Sequence, residues 1–415
     1  NQVMDILTEE DFYREAHGLL FSGMASLYNN SEPVDLITLS QHLRNRDLLE
    51  KAGGTEYLAS LADAVSTSAG VAYHAQIVRD LSIRRRLISQ CSRISDSCFQ
   101  NWARSDELLD MAEQVIYDIA EEKVGEGLSS MESVIKDSFR KLESVAGSDG
   151  FVTGLASGFE DFDRLTAGLQ PSDLIIVAGR PSMGKTALAL NVGYNAALKT
   201  GKGVAVFSLE MSKLHLGLRL LGLTAGINAT KLRTGHLTDR DWHRLTDAAN
   251  KLSELPIFID DTSGMSVLDM KARCRRLTKK TDLGLVIVDY LQLIQGRRSA
   301  ESRQLEISEI SRYLKALAKD LDVPVMALSQ LNRKVEDRPN KRPQLSDLRE
   351  SGAIEQDADV IAFIYRDEMY NPTTEENRNI AEIILAKQRN GPTGYFKLLF
   401  EKEHTRFQNH TSQEF

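Results

Sequence analysis

An eight-residue segment, Gly179–Thr186 (GRPSMGKT), constrains the fold of this chain more than any other part of its sequence. It matches the pattern G-x-x-x-x-G-K-[ST] at every fixed position and lies between an apolar run, 174–178, and a helical pattern, 187–197. In such a segment, glycines let backbone N–H groups surround phosphate oxygens, and the helix amino terminus adds a favourable partial charge. The sequence therefore predicts a strand, a phosphate-binding loop and a helix, in that order.

Three side chains in or near this loop have predicted roles. Lys185 would reach the β- and γ-phosphates of a nucleotide, and the hydroxyl of Thr186 would bind Mg²⁺. Asp289 directly follows a second apolar run, 285–288, and a carboxylate at such a strand end is typical of a Mg²⁺ partner. A strand end that simply faces water is the alternative for Asp289, but the phosphate loop favours the metal role.

Two further polar residues follow predicted strands. Glu210 ends the run 204–209 and could orient and deprotonate an attacking water; a solvated position near a helix start is the alternative. Gln330 follows the run 325–328 and could sense the γ-phosphate through its amide; an ordinary polar loop residue is the alternative. These residues make nucleotide hydrolysis the predicted chemistry.

Two cations, Lys387 and Arg389, lie at the turn of a predicted antiparallel hairpin near the end of the chain. Cations on a rigid turn can stabilise a transferred phosphate from outside the site. If they served the nucleotide of their own chain, they would lie near the phosphate loop. If they reach a neighbour, the protein must be an oligomer, and a solvated basic turn is the third possibility.

Three regions differ in their pattern. Residues 1–102 carry helical spacings without a competing strand pattern, which predicts an all-α bundle whose first helix is capped by Thr8, with Asp11 at its third position. Residues 103–150 are predicted to be a linker with a docking helix at 130–144, although that helix could also pack on its own domain. Residues 151–415 alternate apolar runs with helical stretches, which predicts an α/β domain with a mostly parallel sheet. The predicted strands are 174–178, 204–209, 257–259, 285–288, 325–328, 360–365, 380–385 and 395–400.

The charge balance limits how the chain can bind nucleic acid. With 51 Lys and Arg against 59 Asp and Glu, the net charge is −8, so any nucleic-acid site must concentrate its basic groups locally. In the segment 343–359, Arg349 could contact phosphate and Gly352 would allow close approach of backbone N–H groups. That segment is acidic overall, so its charge alone favours a solvated loop.

Composition also excludes several classes of protein. No apolar run approaches the ~18 residues that a membrane span needs, and no export signal is visible. The three cysteines are too few for a disulfide scaffold and fit a reducing cytoplasm; Cys91 and Cys98 are expected to be packed thiols. The histidines and cysteines show no metal-ligand spacing, so no zinc site is predicted.

The motifs taken together resemble the bacterial replicative DNA helicases of the DnaB type, which carry a RecA-like motor domain. The likeness extends over nearly the whole chain. The matching stretches are 179–186, 207–212, 288–293, 327–333, 346–352 and 387–392, with 10–13 in the helical region.

This resemblance implies a homohexameric ring that uses ATP and Mg²⁺ to translocate along single-stranded DNA and separate duplex at the replication fork. It further implies contacts with primase and a helicase loader in a primosome, a location in the cytoplasm at the nucleoid, and no membrane. The family has a further helical stretch before the point where Asn1 begins, so an incomplete collar is expected.

The resemblance also assigns roles residue by residue. Glu210 would be the catalytic base, Asp289 the Mg²⁺ partner with Thr186, and Gln330 the γ-phosphate sensor. Lys387 and Arg389 match the pair that reaches into the ATP of the adjacent subunit. The nucleotide-binding set is Ser182, Gly184, Lys185, Thr186, Ala187 and Arg219, and the DNA-binding set is Arg349, Glu350 and Gly352.

Two other functions remain possible at this point. A RecA- or RadA-like strand-exchange protein would assemble as a filament, and the helical N-terminal region argues against it. A nucleotide-gated platform for primase would bind ATP with negligible turnover, and the presence of Glu210 and Asp289 argues against that.

Overall fold

The computed structural model describes residues 3–4, 6–64, 70–99, 152–295, 303–371 and 377–410, with single helical positions at 108, 112, 115, 131, 134–136 and 138–140. The chain divides into two compact units, 1–142 and 143–415, which we describe separately. The predicted linker, 103–150, lies largely outside the described residues, and so does most of its docking helix. The predicted domain boundaries therefore stay a prediction.

Helices make up the described part of the first unit. A single 3₁₀ turn, Glu9–Asp11, precedes four helices. Thr8 and Asp11 form the predicted capping box, but the helix does not continue from there, and α1 begins only at Glu15. The helices are α1 (Glu15–Asn29), α2 (Leu36–Arg44), α3 (Gly54–Asp63) and α4 (Val71–Phe99).

The break after Asp11 has a tertiary cause. The Asp11 carboxylate is fully buried and forms ion pairs with Arg79 at 2.9 Å and with Arg86 at 3.0 Å, both on α4. This arrangement holds the 3₁₀ turn against α4. The expected packing of Cys91 and Cys98 on α4 is wrong, because both residues are exposed.

The second unit is built on a nine-stranded sheet, in the order β3-β2-β4-β5-β1-β6-β7-β8-β9. Neighbours from β3 to β6 are parallel, and those from β6 to β9 are antiparallel, so the predicted mostly parallel sheet with a terminal hairpin is confirmed. The strands are β1 (Leu174–Gly179), β2 (Gly203–Ser208), β3 (Ile257–Asp260), β4 (Leu283–Asp289), β5 (Val325–Gln330), β6 (Val360–Tyr365), β7 (Ile380–Gln388), β8 (Gly394–Glu401) and β9 (Arg406–Asn409).

Helices cover both faces of this sheet. Alternate residues of β1 point to opposite faces, so Ile175 and Val177 pack with one hydrophobic cluster and Leu174 and Ile176 with the other. The helices are α5 (Glu160–Thr166), α6 (Lys185–Thr200), α7 (Lys213–Ala225), α8 (Ala229–Thr234), α9 (Asp239–Glu254), α10 (Val267–Thr278), α11 (Arg303–Leu321) and α12 (Gly352–Asp357). Short 3₁₀ segments are Leu291–Leu293, Arg333–Asp337, Leu345–Ser351 and Asp367–Met369.

The two ends of the parallel strands define two edges of the sheet. At the carboxyl edge, β1, β2, β4 and β5 all end, and Gly179 pairs with Gln330 there. At the amino edge, the backbone N–H of Leu174 donates to the Asp359 carboxylate over 2.8 Å. A strand the length of β1 separates the two edges by about 16 Å. Across the described residues, we found no helix that combines the length and apolar character of a membrane span.

Candidate nucleotide site and its surroundings

The phosphate loop connects β1 to α6 at the carboxyl edge of the sheet. The strand ends at Gly179 and the helix begins at Lys185, as the sequence predicts. Gly184 has a φ of 101°, a conformation that strongly favours glycine, and a Cβ there would lie 3.0 Å from the ring of Phe407. Ser182, with a φ of 66°, also lies in the left-handed region. The backbone therefore holds an open loop at the amino terminus of a helix.

Lys185 is held by the loop itself. Its Nζ donates to the carbonyl oxygens of Gly179 at 2.8 Å and Arg180 at 3.2 Å. Burial lowers the pKa of this lysine to about 8, although the charges of Asp289 and Glu210 act in the opposite direction. A desolvated ammonium group supported by two carbonyls is well prepared to exchange them for phosphate oxygens.

The first turn of α6 meets the end of β4. The Thr186 hydroxyl donates to Oδ2 of Asp289 over 2.8 Å, and the next residue, Ala187, is buried. Burial raises the pKa of the Asp289 carboxyl, and the hydrogen bond from Thr186 opposes that effect. A hydroxyl and a desolvated carboxylate are hard oxygen ligands of the kind Mg²⁺ prefers, and a divalent cation would compensate the buried charge. These two residues therefore fit the metal that the sequence predicts.

Glu210 and Arg219 lie in the same electrostatic environment. Glu210 follows β2 and its side chain is exposed, while Arg219 is half-buried on α7. Burial lowers the pKa of Arg219, and the charges of Asp289 and Glu210 raise it. Since Glu210 also acts on the pKa values of Lys185 and Asp289, all four charged groups converge on the phosphate loop.

Gln330 sits beside the phosphate loop because β5 pairs with β1 and places it opposite Gly179. Its backbone is fixed by Gln292, which follows β4. The Gln292 amide donates to Oγ of Ser329 at 2.9 Å and to the carbonyl of Gln330 at 3.2 Å, and its Oε1 accepts from the Gln330 N–H at 3.3 Å. The end of β4 and the end of β5 are thus connected by one side chain.

Lys387 and Arg389 lie at the other edge of the sheet. Lys387, near the end of β7, pairs with Ile361 of β6, and the Arg389 N–H donates to the carbonyl of Asp359 at 2.9 Å. Their side chains contact the carboxyl end of α12, not the phosphate loop, which is about 16 Å away along β1. The sequence left three possibilities open for these two cations. The first, that they contact the nucleotide bound by their own chain, does not fit this geometry.

The residues proposed to contact DNA end at Gly352, the first residue of α12. The backbone of Leu345–Ser351 forms a 3₁₀ helix, while the side chains of Arg349 and Glu350 lie outside the described residues. Gly352 has a right-handed φ of −53°, and a Cβ there would meet nothing within 4 Å. The fold itself therefore gives no reason for glycine at this position.

Arg366 is a cation that sequence reasoning missed. It is buried, pairs with Glu368, donates to the carbonyl of Ser182 at 3.2 Å, and stacks 4.2 Å above the centroid of the Phe400 ring. Arg366 therefore connects the phosphate loop, at the carbonyl of Ser182, to the ring of Phe400 and stabilises the loop. A charged residue that directly follows the fully apolar run 360–365 was the signal in the sequence.

Two family models match this chain. The DnaB-like helicase C terminal domain matches residues 154–409, and the DnaB-like helicase N terminal domain matches residues 1–80. Among curated proteins, the replicative DNA helicase DnaB of Geobacillus stearothermophilus is 50% identical over 406 residues, covering 98% of this chain and 89% of that protein. The replicative DNA helicase DnaB of Pasteurella multocida is 44% identical over 421 residues, covering 100% and 90%.

Two solved structures are also similar. One is described as the structure of a DnaB-like replicative helicase and its interactions with primase; it has 35% identity and a TM-score of 0.75, over 98% of this chain and 94% of that chain. The other is described as an ATPase domain; it has 41% identity and a TM-score of 0.65, over 69% of this chain and 100% of that one. The second match confirms the motor fold independently of the helical region.

Proposed function

Because the chain belongs to the DnaB-like replicative DNA helicase family, we propose that it hydrolyses ATP at sites shared between copies and moves along single-stranded DNA. Members of this family are ATP-driven enzymes that separate duplex DNA during replication, and this chain is such a helicase. Family membership favours this function over the strand-exchange filament and the primase platform.

The position of the hairpin carries the proposal of a shared site. Lys387 and Arg389 lie at the amino edge of the sheet, whereas the phosphate loop lies at the carboxyl edge, about 16 Å away. Neither side chain can span that distance to its own nucleotide. If these cations act on ATP, they act on the ATP of another copy.

The nucleotide is proposed to bind at the phosphate loop of one copy. Lys185 would exchange the carbonyls of Gly179 and Arg180 for β- and γ-phosphate oxygens, so its buried ammonium group has acceptors in both states. The amino terminus of α6 would supply backbone N–H groups to the phosphates. The residues proposed to contact the nucleotide are Ser182, Gly184, Lys185, Thr186, Ala187 and Arg219.

Thr186 and Asp289 would hold Mg²⁺ together with the phosphates. When bound, that ion would neutralise charge on the β- and γ-phosphates. Before it binds, the hydroxyl of Thr186 satisfies the buried carboxylate and keeps both ligands in place.

Hydrolysis is assigned to residues from both copies. Glu210 would orient a water molecule and accept its proton, since its side chain is exposed beside Lys185 and Asp289. Gln330, whose backbone is fixed next to the phosphate loop, would sense the γ-phosphate. Lys387 and Arg389 of the next copy would stabilise the charge on the transferred phosphate.

DNA and protein partners complete the proposal. Arg349, Glu350 and Gly352 would hold the sugar-phosphate backbone of single-stranded DNA, so that translocation depends little on base sequence. We propose a homohexameric ring that works in the cytoplasm at the replication fork, with primase and a helicase loader as partners. The proposed domains are a collar at 1–102, a linker at 103–150 and the motor at 151–415.

Strand separation of a forked duplex in the presence of ATP tests this function. The wild-type chain should unwind the fork, and Glu210→Gln should bind ATP normally but lose unwinding, because the water is no longer deprotonated. The matched control is Glu254→Gln at the exposed end of α9, which should unwind at the wild-type rate. Undiminished unwinding by Glu210→Gln would remove Glu210 from the mechanism.

A further inference from the structure

Four oxygen-bearing groups surround the side chains of Lys387 and Arg389, and we call them the cation cradle: the backbone carbonyls of Glu355, Gln356 and Ala358, and the carboxylate of Asp359. We propose that the cation cradle positions these two cations and makes their reach toward a neighbouring ATP depend on helix α12, which begins beside the proposed DNA contacts. This inference rests on the proposed function of the two cations.

Lys387 is fully engaged by the cation cradle. Its Nζ donates to the carbonyls of Glu355 at 2.6 Å, Ala358 at 2.6 Å and Gln356 at 3.2 Å. An ammonium group has three N–H donors, and these three carbonyls use all of them. Lys387 must therefore give up at least one carbonyl before it can donate to a phosphate oxygen.

Arg389 is held by the carbonyl of Gln356 and the carboxylate of Asp359, at 2.7 Å and 3.3 Å. Asp359 is only 5% exposed and is fixed in turn by the backbone N–H of Leu174 and by Lys315 of α11. The Arg389 side chain itself is 48% exposed. The Arg389 side chain can therefore move away from Asp359 while that carboxylate stays fixed, and the core is not disturbed.

Two of the three carbonyls in the cation cradle belong to the short helix α12, and the third, that of Ala358, directly follows it. Helix α12 begins at Gly352, and Ile354 within it and Ala358 just after it are fully buried. The last carbonyls of a helix lack partners within it, which leaves them free to accept from Lys387 and Arg389. Because α12 spans only about 9 Å, a shift of its first residue on DNA contact moves these carbonyls with it.

The carbonyls of the cation cradle and the phosphate of a neighbouring ATP would therefore compete for the same N–H donors of Lys387 and Arg389. When α12 holds its carbonyls against the hairpin, Lys387 and Arg389 are retained in their own chain. When α12 moves, the donors are released toward the neighbouring phosphate. The cation cradle would thus make ATP turnover respond to DNA.

A pair of substitutions at Gln356 tests the inference in the full-length chain. Gln356→Gly and Gln356→Ala remove the same exposed side chain, but only glycine loosens the last turn of α12. We expect the glycine variant to lower the ratio of turnover with single-stranded DNA to turnover without DNA by about fivefold or more. The alanine variant should keep the wild-type ratio, and both should bind ATP like the wild type.

Substitutions at the buried ion pair give a second, independent measurement. Asp359→Asn removes the charge that holds Arg389 and should lower the same ratio. Lys319→Gln removes an exposed charge from the same helix as Lys315, away from Asp359, and should leave the ratio unchanged. If Asp359→Asn does not fold, the Gln356 pair alone decides the question.

The outcomes separate this inference from the proposed function. If Arg389→Ala abolishes turnover while Gln356→Gly and Asp359→Asn keep the wild-type ratio, the shared site stands and the cation cradle has no positioning role. If Arg389→Ala turns over ATP like the wild type, the proposed role of the cation is wrong and the inference falls with it.

Discussion

The Thr186 hydroxyl donates to Oδ2 of Asp289 over 2.8 Å and so connects the first turn of α6 to the end of β4. The two residues are more than one hundred positions apart in the sequence, yet they are the two protein ligands proposed for Mg²⁺. The hydrogen bond keeps a buried carboxylate satisfied until a cation arrives.

Replacing the hydroxyl of Thr186 with a methyl group tests this relationship. Thr186→Val should lower Mg²⁺-dependent ATP turnover by about a hundredfold. It should also lower the free energy of unfolding by about 1 kcal/mol, because Asp289 loses a partner. Turnover measured against Mg²⁺ concentration, and chemical denaturation, check the two effects.

The control for this variant lies on the same helix. Thr200 donates its hydroxyl to the carbonyl of Ala196, far from the nucleotide site. Thr200→Val should leave turnover unchanged. Equal losses of turnover in both variants would mean that α6 is merely destabilised.

The affinity for ATP should depend on pH through Lys185. Burial lowers the pKa of this lysine to about 8, so the ammonium loses its proton as the pH rises through that value. Bound phosphate favours the ammonium form, so above pH 8 binding must take up a proton, and affinity should fall by up to about tenfold per pH unit. Below pH 8 it should be constant.

Titration of a non-hydrolysable ATP analogue between pH 7 and 9.5 measures this effect. Lys199→Ala, which removes an exposed lysine from the same helix, should show the wild-type profile. If the affinity of the wild type does not change up to pH 9.5, Lys185 does not lose its proton above pH 8 in the free protein.

Gly352→Ala should separate folding from DNA binding. The φ of −53° suits alanine and a Cβ would meet nothing within 4 Å, so the free energy of unfolding should not fall and should rise by up to about 1 kcal/mol. Binding of single-stranded DNA should weaken by about tenfold, because the added Cβ would keep a phosphate from approaching the backbone N–H and so weaken one hydrogen bond to a charged group.

Gly217→Ala on α7 is the matched control, since a Cβ there also meets nothing within 4 Å. It should leave DNA affinity unchanged in a fluorescence anisotropy titration. Wild-type affinity in Gly352→Ala would show that no DNA backbone approaches this residue closely.

Mixing two inactive variants tests whether each ATP site combines two copies. Lys185→Ala disables the phosphate loop, and Arg389→Ala disables the hairpin, so each alone should lack turnover. In an equal mixture, about a quarter of the contacts would join an intact loop to an intact hairpin, and turnover should recover to about that fraction. No recovery after subunit exchange would refute the shared site.

Residues near the ends of the parallel strands were predictable from the sequence. Asp289 and Gln330 end their strands and Glu210 follows β2 closely, and parallel topology brings all three to the phosphate loop. Buried parallel strands have continuous apolar sequences, so the ends of the apolar runs predicted where these residues lie. The chemical roles came from the motifs and remain proposals.

Contacts between segments that lie far apart in the sequence were not predictable. The break after Asp11 requires Arg79 and Arg86, about seventy residues later. No sequence pattern marks the carbonyls that bind Lys387, because every residue has a backbone carbonyl. The short strand β9 escaped prediction since Phe407 is its only buried residue.

The separation of the phosphate loop from the hairpin has a consequence for symmetry. In the proposed ring, each copy offers its hairpin cations to one neighbour and receives cations at its phosphate loop from the other neighbour, so the two contacting surfaces differ and the interface is heterologous. Such contacts would continue from copy to copy until the accumulated rotation reaches a full turn. A cyclic point group is therefore the natural closed form, and any rotation that misses closure would produce an open helix instead.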